Sequence, residues 1–415
     1  MSVLKIQRQP TKLGLSFFLV ATIFCLCILY IRRDAVYCWR LNRMLSASQL
    51  KDADHLSAQL IADFPECGEC QFLRAKVARR TGHFTEATDA LRAAERLDWN
   101  PELLHRERIL AVVQAGRTRS VEAQLKSIFA SELSPAETEE VYEAMAQGHA
   151  IAFDTPEFLK CIGFWLRWRP RAMRPRLLRS QFLFRLGNHS EAVEEYRSLV
   201  ADHPGAFDAR LGLAECLLVL NHPTEAEREF RLCHSHRPSA ITALGLARSL
   251  IRIDQGEEAI GLLESFSDTH AHKTRAAILE ELGRWYLDRQ QVAEAIQKLE
   301  ECLRIAPENF SAWHAVSMGY SMTGDGVRAK EALKTGQSLQ ADAARLLAVV
   351  SELADDPASD TLRIEAAEIC FRQGKADEAI AWLYSVLNSH PDHLQATKKL
   401  VEFRDSSTAV QTTDP

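Results

Sequence analysis

A pair of closely spaced cysteines is the first group in this sequence that could do chemistry. Cys67 and Cys70 form a C-x-x-C motif, which is the spacing of thiol redox pairs and of half of many zinc sites. No second Cys/His pair of matching spacing accompanies it, and Gln71 stands where covalent haem attachment would need a histidine. We therefore favour a repeat junction at which two cysteines happen to be close. The alternative is a redox or metal-dependent accessory factor that uses this pair.

Two histidine pairs, His234 with His236 and His270 with His272, are the other candidates for metal binding. A zinc site on one helix needs histidines at i and i+4, which neither pair provides. Both pairs fall at predicted helix ends, where the helix dipole also favours histidine. We therefore predict no metal and no cofactor.

A run of arginines with two tryptophans over residues 165–179 is the most unusual local feature. The arginine cluster consists of Arg167, Arg169, Arg171, Arg174, Arg176 and Arg179. Guanidinium groups in such number could hold an acidic peptide, a phosphate-bearing ligand or lipid headgroups. The alternative is a solvated junction that balances neighbouring glutamates.

Catalytic motifs are missing from the sequence. It has no phosphate-binding glycine loop, no H-E-x-x-H and no G-x-S-x-G. We therefore predict that the protein is not an enzyme.

The stretch 276–309 indicates which elements position these residues, because it reads as two closely crossing helices. The small residues at the predicted crossing are Gly283, Ala295 and Cys302, and the large residues beside them are Leu282, Tyr286 and Leu299. Pro307 ends the second helix, since it has no N–H to donate and clashes with the preceding turn. Pro170, Pro204 and Pro238 mark the same point at intervals of 34 residues.

These residues resemble the tetratricopeptide repeat (TPR), a helix–turn–helix unit of 34 residues. The resemblance implies an all-α superhelical solenoid of antiparallel helix pairs, whose first helices line a concave face that binds a partner polypeptide. The side chains expected on that face are Gln181, Arg248, Arg284, His314 and Met318. With its apolar N-terminal segment, the chain is also similar to membrane-anchored TPR proteins of bacteria. We predict a protein-interaction scaffold, with a structural homo-oligomerisation module as an alternative.

The predicted domain organisation has one long repeat region. It comprises an N-terminal tail at 1–12, a transmembrane helix at 13–31, about ten repeats over 34–403 and a disordered tail at 404–415. The best units are 173–206, 207–239, 276–309, 310–341 and 360–393, with a helical insertion at 342–359. In that insertion Leu346, Leu347, Val350 and Leu353 recur on one face, so one long helix is expected over 326–354. A capping helix is expected over 393–403.

Charge is distributed unevenly. The formal net charge is −6, and residues up to Arg43 carry +6, so the remainder carries −12. An acidic solenoid lacks the cations that general nucleic-acid binding needs. We therefore expect protein or peptide partners and no nucleic acid.

The segment 13–31 contains no charged residue and is nearly long enough to cross a bilayer. It predicts a single-pass membrane protein, and the resemblance to membrane-anchored TPR proteins of bacteria implies the bacterial inner membrane. Basic residues flank both ends, so the positive-inside rule does not decide the orientation. Most cysteines fall at packing positions, which favours free thiols and, slightly, a cytoplasmic solenoid.

Overall fold

Helices make up all the regular secondary structure in the described part of the chain. The structure is a computed structural model that describes residues 33–46, 49–269, 271–356 and 358–411. These residues form 21 α-helices and one short 3₁₀ helix. The all-α prediction is confirmed for this part of the chain.

The chain divides into two units, Met1–Ala144 and Met145–Pro415. The helices of the first unit are α1 Arg33–Ser46, α2 Leu50–Asp63, α3 Gly68–Thr81, α4 Phe84–Arg96, α5 Pro101–Gln114, the 3₁₀ helix Thr118–Val121 and α6 Glu122–Ala130. Helix α7, Pro135–Ile151, contains the boundary. The helices of the second unit are α8 Thr155–Trp168, α9 Met173–Arg185, α10 His189–Asp202, α11 Phe207–Val219, α12 Pro223–His236, α13 Ala240–Arg252, α14 Gly256–Glu264, α15 His272–Asp288, α16 Val292–Ile305, α17 Phe310–Met322, α18 Gly326–Asp355, α19 Asp360–Arg372, α20 Ala376–Ser389 and α21 Leu394–Gln411.

A left-handed residue closes the first helix of most pairs. Glycine occupies this position at Gly187, Gly324 and Gly374, with φ between 72° and 82°. Asn221 and Asp254 take it in two other pairs, at φ 61° and 65°. The left-handed residue lets the backbone leave the helix while its N–H still bonds a helical carbonyl. Each first helix can therefore turn directly into the second.

Small residues allow the second helices of unit 2 to pack closely, as the repeat pattern predicts. Ala192, Ala226, Ala259 and Ala295 are fully buried at equivalent positions. A Cβ on Gly283 would come within 2.5 Å of Leu299, so only glycine fits that crossing. The predicted free thiols, Cys233, Cys302 and Cys370 among them, are buried.

Unit 1 holds charged side chains in its interior as well as apolar ones. Arg79 is 1% exposed, and its guanidinium donates to Glu107 at 2.5 Å and to Gln114 at 2.7 Å. Arg80 pairs with Glu143 at 2.9 Å and donates to the carbonyl of Leu45 at 2.6 Å. These paired groups link helices of unit 1 that are distant in sequence.

Two long helices lie near the C-terminus. Helix α18 runs from Gly326 to Asp355, where one long helix was expected over 326–354. Helix α21 runs from Leu394 to Gln411 and so continues past residue 403, where the capping helix was expected to end.

Among the helices that the structure describes, none combines the length and the apolar composition that a bilayer crossing requires. This finding contradicts our prediction of a single-pass protein of the bacterial inner membrane. The predicted span at 13–31 and the tail at 1–12 lie outside the described residues.

Candidate functional site

The first loop of unit 2 packs against its last repeat. Phe153, between α7 and α8, stacks on Trp382 of α20 with ring centroids 3.8 Å apart and an interplanar angle of 7°. Nη1 of Arg363, on α19, donates to the carbonyl of Ala152 at 3.1 Å, across 211 residues of sequence. The two ends of the unit therefore close on each other.

The loop that makes this contact is held in an unusual conformation. Phe153 has a φ of 51°, in the left-handed region that bulky residues rarely adopt. Asp154 follows it and caps α8 by accepting a hydrogen bond from the N–H of Glu157. A side-chain hydrogen bond with His149 lowers the pKa of Asp154. The loop is thus held by the helix cap and by the contact between Asp154 and His149, as well as by the stacked ring.

A cavity of about 860 Å³ lies where the two ends meet. We call it the closure cavity. Its apolar wall includes Phe153, Leu159, Phe184, Leu346, Leu347, Val350 and Trp382. Leu347 is 73% exposed and Leu159 is 46% exposed. Large apolar side chains in a concave surface with this exposure can gain free energy when a ligand covers them.

The charged residues that line the closure cavity are Arg185, Lys375 and Glu378. The Arg185 guanidinium lies 4.8 Å from the ring centroid of Phe153 and donates to the carbonyl of Ala150 at 3.3 Å. Lys375 donates to Gln373 at 2.9 Å. No described carboxylate lies within 4.0 Å of either cation. The buried Nδ1 of His189 also has no hydrogen-bond partner among the described residues. The cavity can therefore accept an anionic or hydrogen-bonding group.

The arginine cluster lies on α8, α9 and the turn between them. Arg167 and Arg169 lie over the rings of Phe164 and Trp168, at 4.4 Å and 4.8 Å. Arg171 is exposed and Arg174 is half-buried. Two further members make internal contacts: Arg176 with Asp202 and Ser198 at 2.6 Å and 2.7 Å, and Arg179 with Glu195 at 2.5 Å. Some guanidinium groups of the arginine cluster are therefore already paired with side chains of unit 2.

The side chains predicted for the concave face lie on first helices of four repeats. Gln181 and Met318 are exposed, and His314 lies 3.1 Å from Gln340. Arg248 pairs with Glu281 at 2.7 Å, and Arg284 donates to Ser311 at 3.1 Å. Arg248 and Arg284 line a second cavity of about 520 Å³, which we call the first-helix groove. None of the eleven residues of the arginine cluster and the predicted concave face lines the closure cavity.

The C-x-x-C pair lies at the start of α3, and the structure adds a third thiol to it. Cys67 and Cys70 form a disulfide, and the sulfur of Cys38 lies 3.6 Å from that of Cys70. In the histidine pairs, His234 contacts the hydroxyl of Thr242 at 2.9 Å, and burial lowers its pKa. His270 lies outside the described residues.

Sequence reasoning found one wall of the closure cavity without assigning it a role. Leu346, Leu347 and Val350 belong to the amphipathic face predicted for the 342–359 insertion. Leu347 stays exposed in the folded unit, so the extra helix has an apolar residue that its own fold does not cover. No sequence pattern indicated Arg185 and Lys375 as site residues, because each is a single basic residue next to a turn.

Comparison with known families identifies the repeats. Two family models described as tetratricopeptide repeats match the chain, at residues 45–100 and 183–232. One match lies in each unit. The resemblance seen in the sequence is therefore confirmed: the chain contains tetratricopeptide repeats.

Solved structures with similar helical arrays have low sequence identity to this chain. The Cut9–Hcn1 hetero-tetramer of the APC/C matches with 13% identity and a TM-score of 0.43, covering 90% of this chain and 84% of that one. YrrB, a TPR protein with an unusual peptide-binding site, matches with 15% identity and a TM-score of 0.34, covering 46% and 97%. PilF of Pseudomonas aeruginosa matches with 17% identity and a TM-score of 0.38, covering 56% and 99%. No curated protein matches the sequence.

Proposed function

We propose that this tetratricopeptide-repeat protein is a non-catalytic scaffold that binds a partner polypeptide in the closure cavity. TPR proteins generally act as protein–protein interaction scaffolds, and the matched repeats support that class of partner. The partner segment would insert an apolar side chain between Leu159 and Leu347 and direct a carboxylate towards Arg185 and Lys375.

The exposed apolar wall supplies the first part of this proposal. Leu347 and Leu159 protrude into the cavity beside the Phe153–Trp382 stack. Full burial of an exposed leucine contributes about 1.5–3 kcal/mol, so covering the exposed part of Leu159 or Leu347 contributes about 1–2 kcal/mol. The 860 Å³ volume is in the range of sites that bury a few side chains of a ligand.

The second part of the proposal, the contact with a partner carboxylate, rests on Arg185 and Lys375. These two cations are its main support. Arg185 and Lys375 line a cavity in an acidic chain, and neither has a described carboxylate within 4.0 Å. Glu378 also lines the cavity and acts on Arg185 only through its charge, so both cations can still donate to a partner carboxylate. A partner carboxylate would gain charge-assisted hydrogen bonds there, each stronger than a neutral one. By contrast, Arg248 in the first-helix groove already pairs with Glu281. We therefore favour the closure cavity over the concave face and the arginine cluster, which serve as secondary surfaces in this proposal.

Site-specific photocrosslinking tests the proposal. A photoreactive side chain replaces Leu347 in the full-length protein, and crosslinked species are identified by mass spectrometry. The matched control carries the same group at Val327, which is 71% exposed on the same helix, α18, and does not line the cavity. We expect a polypeptide attached at position 347 that is absent at position 327.

Charge reversal then tests the cationic side of the cavity. Arg185→Glu with Lys375→Glu should reduce crosslinking at position 347 by about 10-fold or more, since each lost charge-assisted bond costs about 1.5–3 kcal/mol. Arg231→Glu, at an exposed arginine outside the cavity, should leave the yield unchanged. Equal yields at positions 347 and 327 would reject the site. Crosslinks only between copies of this chain would instead support the homo-oligomerisation module.

A further inference from the structure

Three cysteine sulfurs of unit 1 meet at the N-terminal end of α3. Cys67 precedes this helix, Cys70 lies in its first turn, and Cys38 comes from α1. The three Sγ atoms lie within 4.8 Å of one another. In the part of the chain that the structure describes, no other group of three His, Cys, Asp or Glu donors is so close.

Packing of the surrounding helices brings these sulfurs together. Cys38 and Cys70 are 2% and 0% exposed and belong to one apolar cluster with Leu41 and Leu73. Cys67 is the N-cap of α3, and its sulfur accepts the N–H of Cys70 at 3.2 Å. The position of Cys38 relative to the pair therefore follows from the core of the unit, independently of the bond between Cys67 and Cys70.

We propose that Cys38, Cys67 and Cys70 form a site for one Zn²⁺ ion when Cys67 and Cys70 are reduced. Four-coordinate Zn²⁺ with Zn–S bonds of about 2.3 Å holds its sulfurs about 3.8 Å apart. The sulfurs of Cys38 and Cys70 are already 3.6 Å apart. Only the sulfur of half-buried Cys67 must move, by rotation about its side chain, to complete the triangle.

The local backbone suits a metal-bound thiolate at Cys67. The N–H of Cys70 points at its sulfur, as the outer-shell donors of metal sites do. The N-terminus of α3 adds a positive partial charge beside the three sulfurs. Since three thiolates carry a charge of −3, a divalent ion leaves −1 on the cluster, whereas a monovalent ion would leave −2. Thiolate ligands and this charge balance favour Zn²⁺.

Loading of the site requires a reductant and releases protons. A dithiol reductant gives two electrons and two protons to the Cys67–Cys70 disulfide and itself becomes a disulfide. Zn²⁺ then replaces the protons of three thiols, which leave to solvent. The fourth position is filled by water or an added donor, because the described residues offer no fourth protein ligand. The bound ion would tie α1 to α3 at the beginning of the described repeats.

Metal analysis of the full-length protein tests this site. The protein is reduced with a phosphine and incubated with Zn²⁺, and metal per chain is measured after gel filtration. A thiol count of ten on the denatured sample verifies reduction, since the sequence has ten cysteines. We expect about one Zn²⁺ per chain. Co²⁺ in its place should give sulfur-to-cobalt charge-transfer absorption.

Cys67→Ser is the decisive variant, because serine is a preferred N-cap and so preserves the start of α3. It should lower Zn²⁺ affinity by at least about 10-fold. Cys38→Ser should do the same, whereas Cys161→Ser, at an equally buried cysteine of unit 2, should bind Zn²⁺ like the parent protein. Three results would each overturn the proposal. The reduced parent protein could bind clearly less than one Zn²⁺ per chain, or Cys67→Ser could bind Zn²⁺ as tightly as the parent. The third result is a Cys67–Cys70 disulfide that resists reduction in the native protein.

Discussion

Phe153 and Trp382 lie face to face, 3.8 Å between ring centroids, although one belongs to the first loop of unit 2 and the other to its last repeat. The hydrogen bond from Arg363 to Ala152 fixes the same contact at the backbone. Sequence-adjacent repeats would pack without either interaction, because each buries its apolar face on its neighbours. The stack therefore adds a long-range restraint, and it forms one wall of the closure cavity.

Removing the ring at position 153 should destabilise unit 2 and open the cavity. We expect Phe153→Ala to lose about 2–4 kcal/mol in unfolding free energy. Phe153→Gly should lose about 1 kcal/mol less, since glycine adopts the observed φ of 51° without the penalty that a Cβ incurs. Chemical denaturation of the three proteins measures both differences. If the Phe153→Ala variant were as stable as the Phe153→Gly variant or more stable, residue 153 would not keep its left-handed conformation.

The control for this contact is a stack of local origin. Phe371 of α19 and Phe403 of α21 also stack, with centroids 3.9 Å apart, but only one helix, α20, separates the two elements in sequence. Phe371→Ala should cost a comparable free energy while leaving crosslinking at position 347 unchanged. Phe153→Ala should reduce that crosslinking.

The buried ion pair of unit 1 should be sensitive to removal of one partner. Burial alone would lower the pKa of Arg79, but the charge and hydrogen bond of Glu107 outweigh it, so the pKa is raised. Arg79→Met leaves the Glu107 carboxylate buried and unpaired, which should cost about 3–5 kcal/mol. Arg79→Met with Glu107→Leu should recover most of this loss, because no buried charge is then left alone. Urea unfolding measures each variant.

A surface pair provides the comparison. Arg92 and Asp89 are 67% and 64% exposed and pair at 3.0 Å. Arg92→Met should change stability by less than about 1 kcal/mol. If Arg92→Met lost as much unfolding free energy as Arg79→Met, burial would not explain the sensitivity of the Arg79–Glu107 pair.

Glu137 should make part of the stability depend on acid pH. Hydrogen bonds from Ser134, followed by pairing with Arg106, lower its pKa to about 2. A carboxyl whose pKa is lowered by folding stabilises the native state above its ordinary pKa of about 4.5 and loses that contribution as pH falls towards 2. The stability difference between the parent and Glu137→Gln should therefore be constant near neutral pH and shrink between about pH 4.5 and 2. Urea titrations at several pH values measure it, and a difference independent of pH would contradict this assignment.

The repeated fold was predictable because each repeat carries the same local pattern. Ala295, Leu299 and Pro307 have equivalents at near-constant spacing, so packing within and between neighbouring pairs follows from the sequence. The candidate site was not predictable in this way. Phe153 and Trp382 meet only through the accumulated rotation of all the repeats between them, and Cys38 reaches Cys70 through packing of two helices. No local sequence pattern predicts such long-range contacts.

Two glycines give a last test of the packing at the repeat crossings. A Cβ on Gly283 would lie 2.5 Å from Cγ of buried Leu299, whereas a Cβ on Gly261 would meet no atom within 4 Å. Both glycines lie inside helices, so alanine gains helix propensity at each. Gly261→Ala should therefore stabilise the protein by about 0.4–1 kcal/mol. Gly283→Ala should destabilise it by about 1–3 kcal/mol, because overpacking at the crossing exceeds the gain. Thermal or urea unfolding measures the stability of both variants. Stability changes of the same sign in Gly261→Ala and Gly283→Ala would contradict the close helix crossing at Gly283.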